Sequence, residues 1–145
     1  MHHLTSFRVS RFCASSAVAA CLASGAFAQN FTTAVEVRPI LDATKGNWVA
    51  VREYDGKDLL YFTHLLAWRC GLDQISYALN GGDERVFDAE PCYENEPQPN
   101  AIKVEDKLPY VSFDLGSIDM VTVRVVYDDG AQATNSYERA DIMTP

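Results

Sequence analysis

From Asn47 onward the chain is patterned in twos. Val121, Val123, Val125 and Tyr127 alternate with Thr122, Arg124 and Val126, and Val111, Phe113 and Leu115 alternate with Ser112 and Asp114. Successive side chains of a strand point to opposite faces, so this period sets one apolar face against a core and leaves the other to water. Ile75, Tyr77 and Leu79 repeat the pattern around Ser76 and Ala78, and Asn47 to Tyr54 is rich in β-branched and aromatic residues. Leu59 to Arg69 reads as a long strand, apolar on both faces in places and therefore central. Arg85 to Asp88 and Ala133 to Arg139 read as returning strands. Asp55-Gly56, Asn80-Gly81-Gly82-Asp83 and Asp129-Gly130 separate these runs with residues that accept the positive φ of tight hairpins. About seven short strands with turns between them predict a mainly β chain, an antiparallel β-sandwich, and not alternating βα units.

The segment before Gly46 is different. Thr33-x-x-Glu36 has the form of a capping box, and Val37, Ile40 and Leu41 follow at helical spacing. One short helix is expected between Thr33 and Lys45, limited or kinked by Pro39. Ahead of it, Arg8 and Arg11 precede an Ala-rich apolar run from Phe12 to Leu22 and a small-x-small site at Ala26-Phe27-Ala28. Those three parts make a secretory signal peptide over residues 1–28, with cleavage before Gln29 and a single domain over 29–145. The apolar run is too short and weak to span a bilayer, which takes about 20 residues. Val18-Ala19-Ala20-Cys21 also resembles a lipoprotein box, in which Cys21 would be lipidated and become the first residue.

Cleavage removes two arginines and no acid, leaving a net charge of −10 where the whole chain has −8. Such a surface repels phosphate backbones and anionic lipid heads, which excludes nucleic acid and polybasic membrane docking as expected partners. Of four cysteines, Cys13 and Cys21 fall in the leader. Cys70 and Cys92 remain, and in an exported domain they read as a disulfide. With a single remaining histidine they cannot complete a four-ligand zinc site, and their spacing is not that of a CxxC redox pair. Cys92 sits in the one low-complexity stretch, Glu90 to Asn100, which holds three prolines and three glutamates and reads as an exposed loop pinned by the disulfide.

His64 is the one histidine outside the leader, and so the one candidate for a general base. Its place between Thr63 and Leu65, on the parity of Phe62, Leu66 and Trp68, favours a half-buried structural histidine in mid-strand. No serine occupies a Gly-x-Ser-x-Gly elbow, and no phosphate-binding glycine loop is present. Acidic residues gather at turns: Asp55 and Asp58; Asp83, Glu84, Asp88 and Glu90; Asp128 and Asp129. Calcium accepts such oxygens, but no EF-hand spacing occurs, and surface charge is the reading adopted. No metal and no cofactor are expected. Trp48, Trp68, Tyr54, Tyr61 and Tyr93 are candidates for a sugar-stacking platform; Trp68, two residues before Cys70, reads as packing on the disulfide, whereas Tyr54 and Tyr93 lie nearer turns and are the expected exposed contacts.

The run Ile75-Ser-Tyr-Ala-Leu-Asn-Gly-Gly82 is similar to the third strand and turn of bacterial immunoglobulin-like modules. Val121-Thr-Val-Arg-Val-Val-Tyr-Asp-Asp-Gly130 resembles their penultimate strand and its turn. The helix-bearing N-terminal segment departs from a plain module of that kind. Through Tyr61-Phe-Thr-His-Leu-Leu-Ala-Trp-Arg-Cys-Gly-Leu72 the chain also resembles short exported alphaproteobacterial proteins of unknown function. The expectation is therefore a periplasmic or secreted, non-enzymatic binding or accessory module acting through surface loops on a protein or glycan. Two alternatives stand beside it: a small periplasmic hydrolase or metal-dependent enzyme using His64 and nearby carboxylates, and an envelope component anchored through Cys21.

Overall fold

The computed structural model describes residues 29–103 and 105–145. The predicted leader, with Cys21 and the Ala26-Phe27-Ala28 site, lies outside the described residues. The remainder is mainly sheet: β1 (Ala50–Tyr54), β2 (Lys57–Tyr61), β3 (Leu72–Leu79), β4 (Arg85–Val86), β5 (Tyr110–Asp114), β6 (Met120–Tyr127) and β7 (Gln132–Glu138). They form two antiparallel sheets, in the orders β1-β2-β5 and β4-β3-β6-β7.

Turn chemistry and alternation explain the register. Asp55 and Gly56 both take positive φ, 48° and 71°, and join β1 to β2 with Tyr54 opposite Lys57. Asn80 and Gly81 do the same after β3. In β6 Val121, Val123, Val125 and Tyr127 are buried, while Thr122 and Arg124 face outward beside Ser136 and Thr134 of β7. The buried face of β1 and β2, Val51 and Leu60, meets that of β3 and β6 in one core. Aromatic contacts cross between the sheets, Tyr77 lying 6.3 Å from Phe113 between ring centres. The arrangement is sandwich-like.

Three helices accompany the sheets among the described residues: α1 (Ala34–Ala43), α2 (Thr63–Leu66) and α3 (Arg139–Ile142). Helix α1 starts where the sequence predicted, with the Glu36 carboxylate accepting from the N–H groups of Thr32 and Thr33 and the Thr33 hydroxyl. Pro39 lies inside it without stopping it, and Ala34, Val37 and Leu41 enter the core. Gly71 allows this close docking, since a Cβ there would come within 2.5 Å of Val37 and 2.8 Å of the Thr33 carbonyl.

Two expectations are corrected. Leu59–Arg69 is not one strand: β2 ends at Tyr61, and the chain turns through α2 and a 3-10 turn at Arg69–Gly71. Phe62, Leu65 and Leu66 are all buried, a spacing that satisfies a helical period as well as a two-sided strand. Helices α2 and α3 were likewise not anticipated; each is a single turn of four residues, too short to impose a pattern.

Candidate functional site

The longest connection among the described residues runs over residues 87–109, between β4 and β5, and apart from Val104, outside the described residues, it holds no helix or strand. Loops beyond about 15 residues without regular structure are uncommon in compact domains and are usually either functional or disordered. Two adjacent residues hold this one against the body of the fold. Cys70 is joined to Cys92 by a disulfide with Cα atoms 4.8 Å apart, within the range that the bond allows. Cys70 lies in the 3-10 turn and not, as expected, at a strand end.

The second pin was not read from the sequence. Arg69 is buried, and its guanidinium donates to four carbonyls: Leu66 (3.0 Å), Pro91 (3.1 Å), Asn100 (2.6 Å) and Ala101 (2.8 Å). Burial lowers its pKa, and nearby Glu90 and Tyr93 oppose that shift. The Asn100 side chain completes the clamp, accepting from the Cys70 N–H (3.0 Å) and donating to the Phe31 carbonyl (3.2 Å). Partners that are backbone carbonyls leave no sequence signature, which is why Arg69 passed unnoticed.

Around this pinned loop opens a cleft of about 700 Å³. Its floor includes Ile75 and Phe87, the pinned loop contributes Pro91, Cys92 and the buried Glu90, and Asp73, Asp88, Glu94 and Asp128 give it a negative rim. Some of these carboxylates are committed. Asp88 pairs with Lys107, Asp128 accepts the Ala34 N–H at the start of α1 (2.8 Å), and Glu90 accepts from the Tyr93 hydroxyl and the Lys103 N–H, both at 2.6 Å. The exposed side chains of Asp73 and Glu94 enter no ion pair among the described residues.

Three connections meet at this cleft. The 62–71 segment brings Arg69 and Cys70; the β6–β7 turn brings Asp128, whose N–H bonds the Gly71 carbonyl (3.1 Å); the long loop doubles back along β3 through the Phe87 N–H and Ile75 carbonyl (2.9 Å). Cleft and loops therefore sit at one end of the two-sheet body.

The other predicted residues fall elsewhere. Tyr93 is half-buried, with its hydroxyl on Glu90 and with Arg69 and Lys103 over its ring at 5.7 and 4.6 Å. The Glu90 hydrogen bond and burial raise the pKa of its phenol. Tyr54 is 60 % exposed at the end of β1, with Arg52 stacked 5.5 Å over its ring. Neither tyrosine lines the 700 Å³ cleft. Trp68 packs on the Phe31 ring, edge to face at 5.1 Å; the fully buried tryptophan is Trp48, whose indole N–H bonds the Leu41 carbonyl (3.0 Å).

His64 stands on α2, half-buried and not in a strand, and it borders a separate cleft of about 560 Å³. Its Nε2 lies 2.8 Å from the Thr44 hydroxyl, which itself donates to the Ile40 carbonyl (2.7 Å). A hydroxyl has one proton to give, so Nε2 carries the hydrogen and Nδ1 the lone pair. Burial lowers the imidazole pKa, favouring the neutral ring. No aspartate or glutamate lines that cleft. Three of the turn carboxylates are paired, Asp58 on Arg139, Glu84 on Arg124 and Asp129 on Arg38, and Asp58 is fully buried and not the surface charge expected. Among the described residues no three His, Cys, Asp or Glu side chains are placed to hold a metal. No protein-family model, curated protein or solved structure matches the chain.

Proposed function

We propose that the protein is an exported, immunoglobulin-like binding module that holds a basic segment of a partner protein in the cleft beside the disulfide. The observation that carries this reading is the pinned loop. Ordering residues 87–109 costs conformational entropy, and most of the segment adds nothing to the core. A disulfide and a four-bonded buried arginine offset that cost and make the loop a pre-shaped wall, which spares the ordering penalty on binding.

Strand order supports the immunoglobulin-like part. Orders β1-β2-β5 and β4-β3-β6-β7 follow the A-B-E and C′-C-F-G pairings of such sandwiches. In that scheme the cleft lies among the B–C, C′–E and F–G connections, at the end where immunoglobulin variable domains carry their binding loops. The disulfide departs from the scheme, tying two connections and not strands B and F.

Charge selects the partner. An exported domain of net charge −10 with Asp73 and Glu94 uncommitted at the cleft attracts a Lys- or Arg-bearing segment. A glycan is less suited here, because the only aromatic lining the cleft is Phe87, which is buried. The hydrolase reading has less support, since His64 borders a cleft without side-chain carboxylates.

Isothermal titration with an extended Lys/Arg-rich peptide tests the proposal. Binding should weaken about tenfold in the Asp73→Asn/Glu94→Gln variant, and much less in a control that neutralises Asp106 and Asp141. Equal losses in both would reduce the effect to non-specific charge attraction and overturn the site.

A further inference from the structure

The cleft beside His64 differs from the first in chemistry. Its polar lining is Asn47, Arg52, Tyr61, Thr63, His64 and Thr144, together with the main-chain carboxylate of Pro145, and no side-chain carboxylate lines it although the chain has 20 acidic residues. Its size falls within the range of small-molecule sites, about 300–1,000 Å³.

Charge pairing elsewhere makes the contrast sharper. Arg38, Lys57, Lys103, Lys107, Arg124 and Arg139 are each held by a carboxylate. Arg69 is consumed by carbonyls. Among the described residues Arg52 has no ion pair, and neither has Lys45, whose ammonium sits 5.6 Å from the ring of Trp48, itself a lining residue. Arg52 in the lining and Lys45 beside Trp48 are therefore two cations without a side-chain ion pair at one cleft of an acidic protein. Leaving them unpaired costs little at the surface, but it concentrates positive potential where acids are otherwise abundant.

The walls add shape. Ala50, Arg52 and Tyr54 share one face of β1, and Tyr61 stands opposite Ala50 on β2. Tyr61 packs against Tyr110 at 5.0 Å, and Arg52 lies over the Tyr54 ring, which orients the guanidinium while its N–H groups keep no hydrogen-bond partner among the described residues. An arginine fork of this kind matches a carboxylate in two parallel hydrogen bonds. Half-buried Ala50 adds apolar surface beside it, over the buried Trp48 and Val49.

We infer that this cleft binds a small ligand whose carboxylate is carried on a ring, the carboxylate on Arg52 and the ring against Tyr61. His64 presents a fixed tautomer to the same ligand, its Nδ1 accepting from a ligand hydroxyl. The shared chemistry covers aromatic acids and uronic-acid sugars. The inference does not depend on the reading of the disulfide cleft, whose residues it does not use.

The test is an amide-resolved NMR titration of the protein with benzoate against benzamide, and with glucuronate against glucose. One acid should saturate, shift Ala50, Arg52 and His64, and bind at least about tenfold more tightly than its neutral counterpart. The pair that does so identifies the class. Arg52→Gln, at an exposed position that leaves the core intact, should abolish the preference for the acid, whereas Arg85→Gln, at another arginine without an ion pair, should preserve it. The inference is overturned if neither acid saturates up to its solubility limit. It is equally overturned if the neutral counterparts bind as well, or if Arg52→Gln keeps the preference.

Discussion

Asp58 is the most consequential single charge in the fold. It is fully buried on β2 and accepts both nitrogens of Arg139, at 2.6 and 2.9 Å, and the Ile118 N–H at 3.2 Å. The Arg139 hydrogen bonds hold its pKa at about 2 against an ordinary 3.8. A carboxylate depressed in the folded state contributes stability above its unfolded pKa, and that contribution fades as pH falls through the folded value. Between pH 5 and 2 the protein should lose about 2 kcal/mol from this group, measured as a falling urea midpoint. Asp58→Asn should flatten that slope and cost about 3 kcal/mol at pH 7. Arg139→Met should cost more than Asp58→Asn, because Arg139 retains Glu53 as a partner when Asp58 is neutralised, whereas Asp58 has no route to water. Urea titration of the two variants decides the order; equal costs would contradict the burial argument. Arg69 makes a parallel case. Arg69→Met strands four carbonyls and should cost on the order of 3–4 kcal/mol by the same measurement.

At the scale of elements, the two pins on the long loop make separable predictions. Cutting the disulfide, which closes a separation of 22 residues, should cost about 3 kcal/mol. The loop should nevertheless stay protected from proteolysis, because the Arg69 and Asn100 hydrogen bonds still hold it. Cys70→Ser/Cys92→Ser combined with Arg69→Met should open it to cleavage around residues 91–101 while the sheets persist. Rapid cleavage after the cysteine change alone would make Arg69 irrelevant to the loop. The two pins also mark what could be read in advance. The disulfide followed from counting cysteines outside the predicted leader, and β6 from strict alternation, because each rests on local composition. The α2 turn was read as strand because Phe62, Leu65 and Leu66 fit two periods at once, and only docking in the core decides between them. The clamp of Arg69 was invisible because carbonyls carry no residue identity. The cleft required three connections distant in sequence to meet at one end, which no local pattern encodes.

For the whole molecule, the proposal joins export, a two-sheet body and a charged cleft into one account. The export part predicts that protein recovered from the periplasm has the mass of a chain beginning at Gln29; a diacylglyceryl chain beginning at Cys21 would replace it with an anchored protein. The acidic surface predicts that partner binding weakens steeply with salt, because rim charges act over a Debye length of about 8 Å at physiological ionic strength. The central claim is narrower: the cleft beside the pinned loop, and not the charge of the molecule at large, does the binding. The most direct test is an amide-resolved NMR titration of the oxidised protein with the Lys/Arg-rich peptide at physiological salt. The account predicts saturable shifts concentrated at Asp73, Gln74, Asp88, Glu94 and Asp128. Shifts of equal size spread over the acidic surface, or confined to β7 and the far turns, would contradict it.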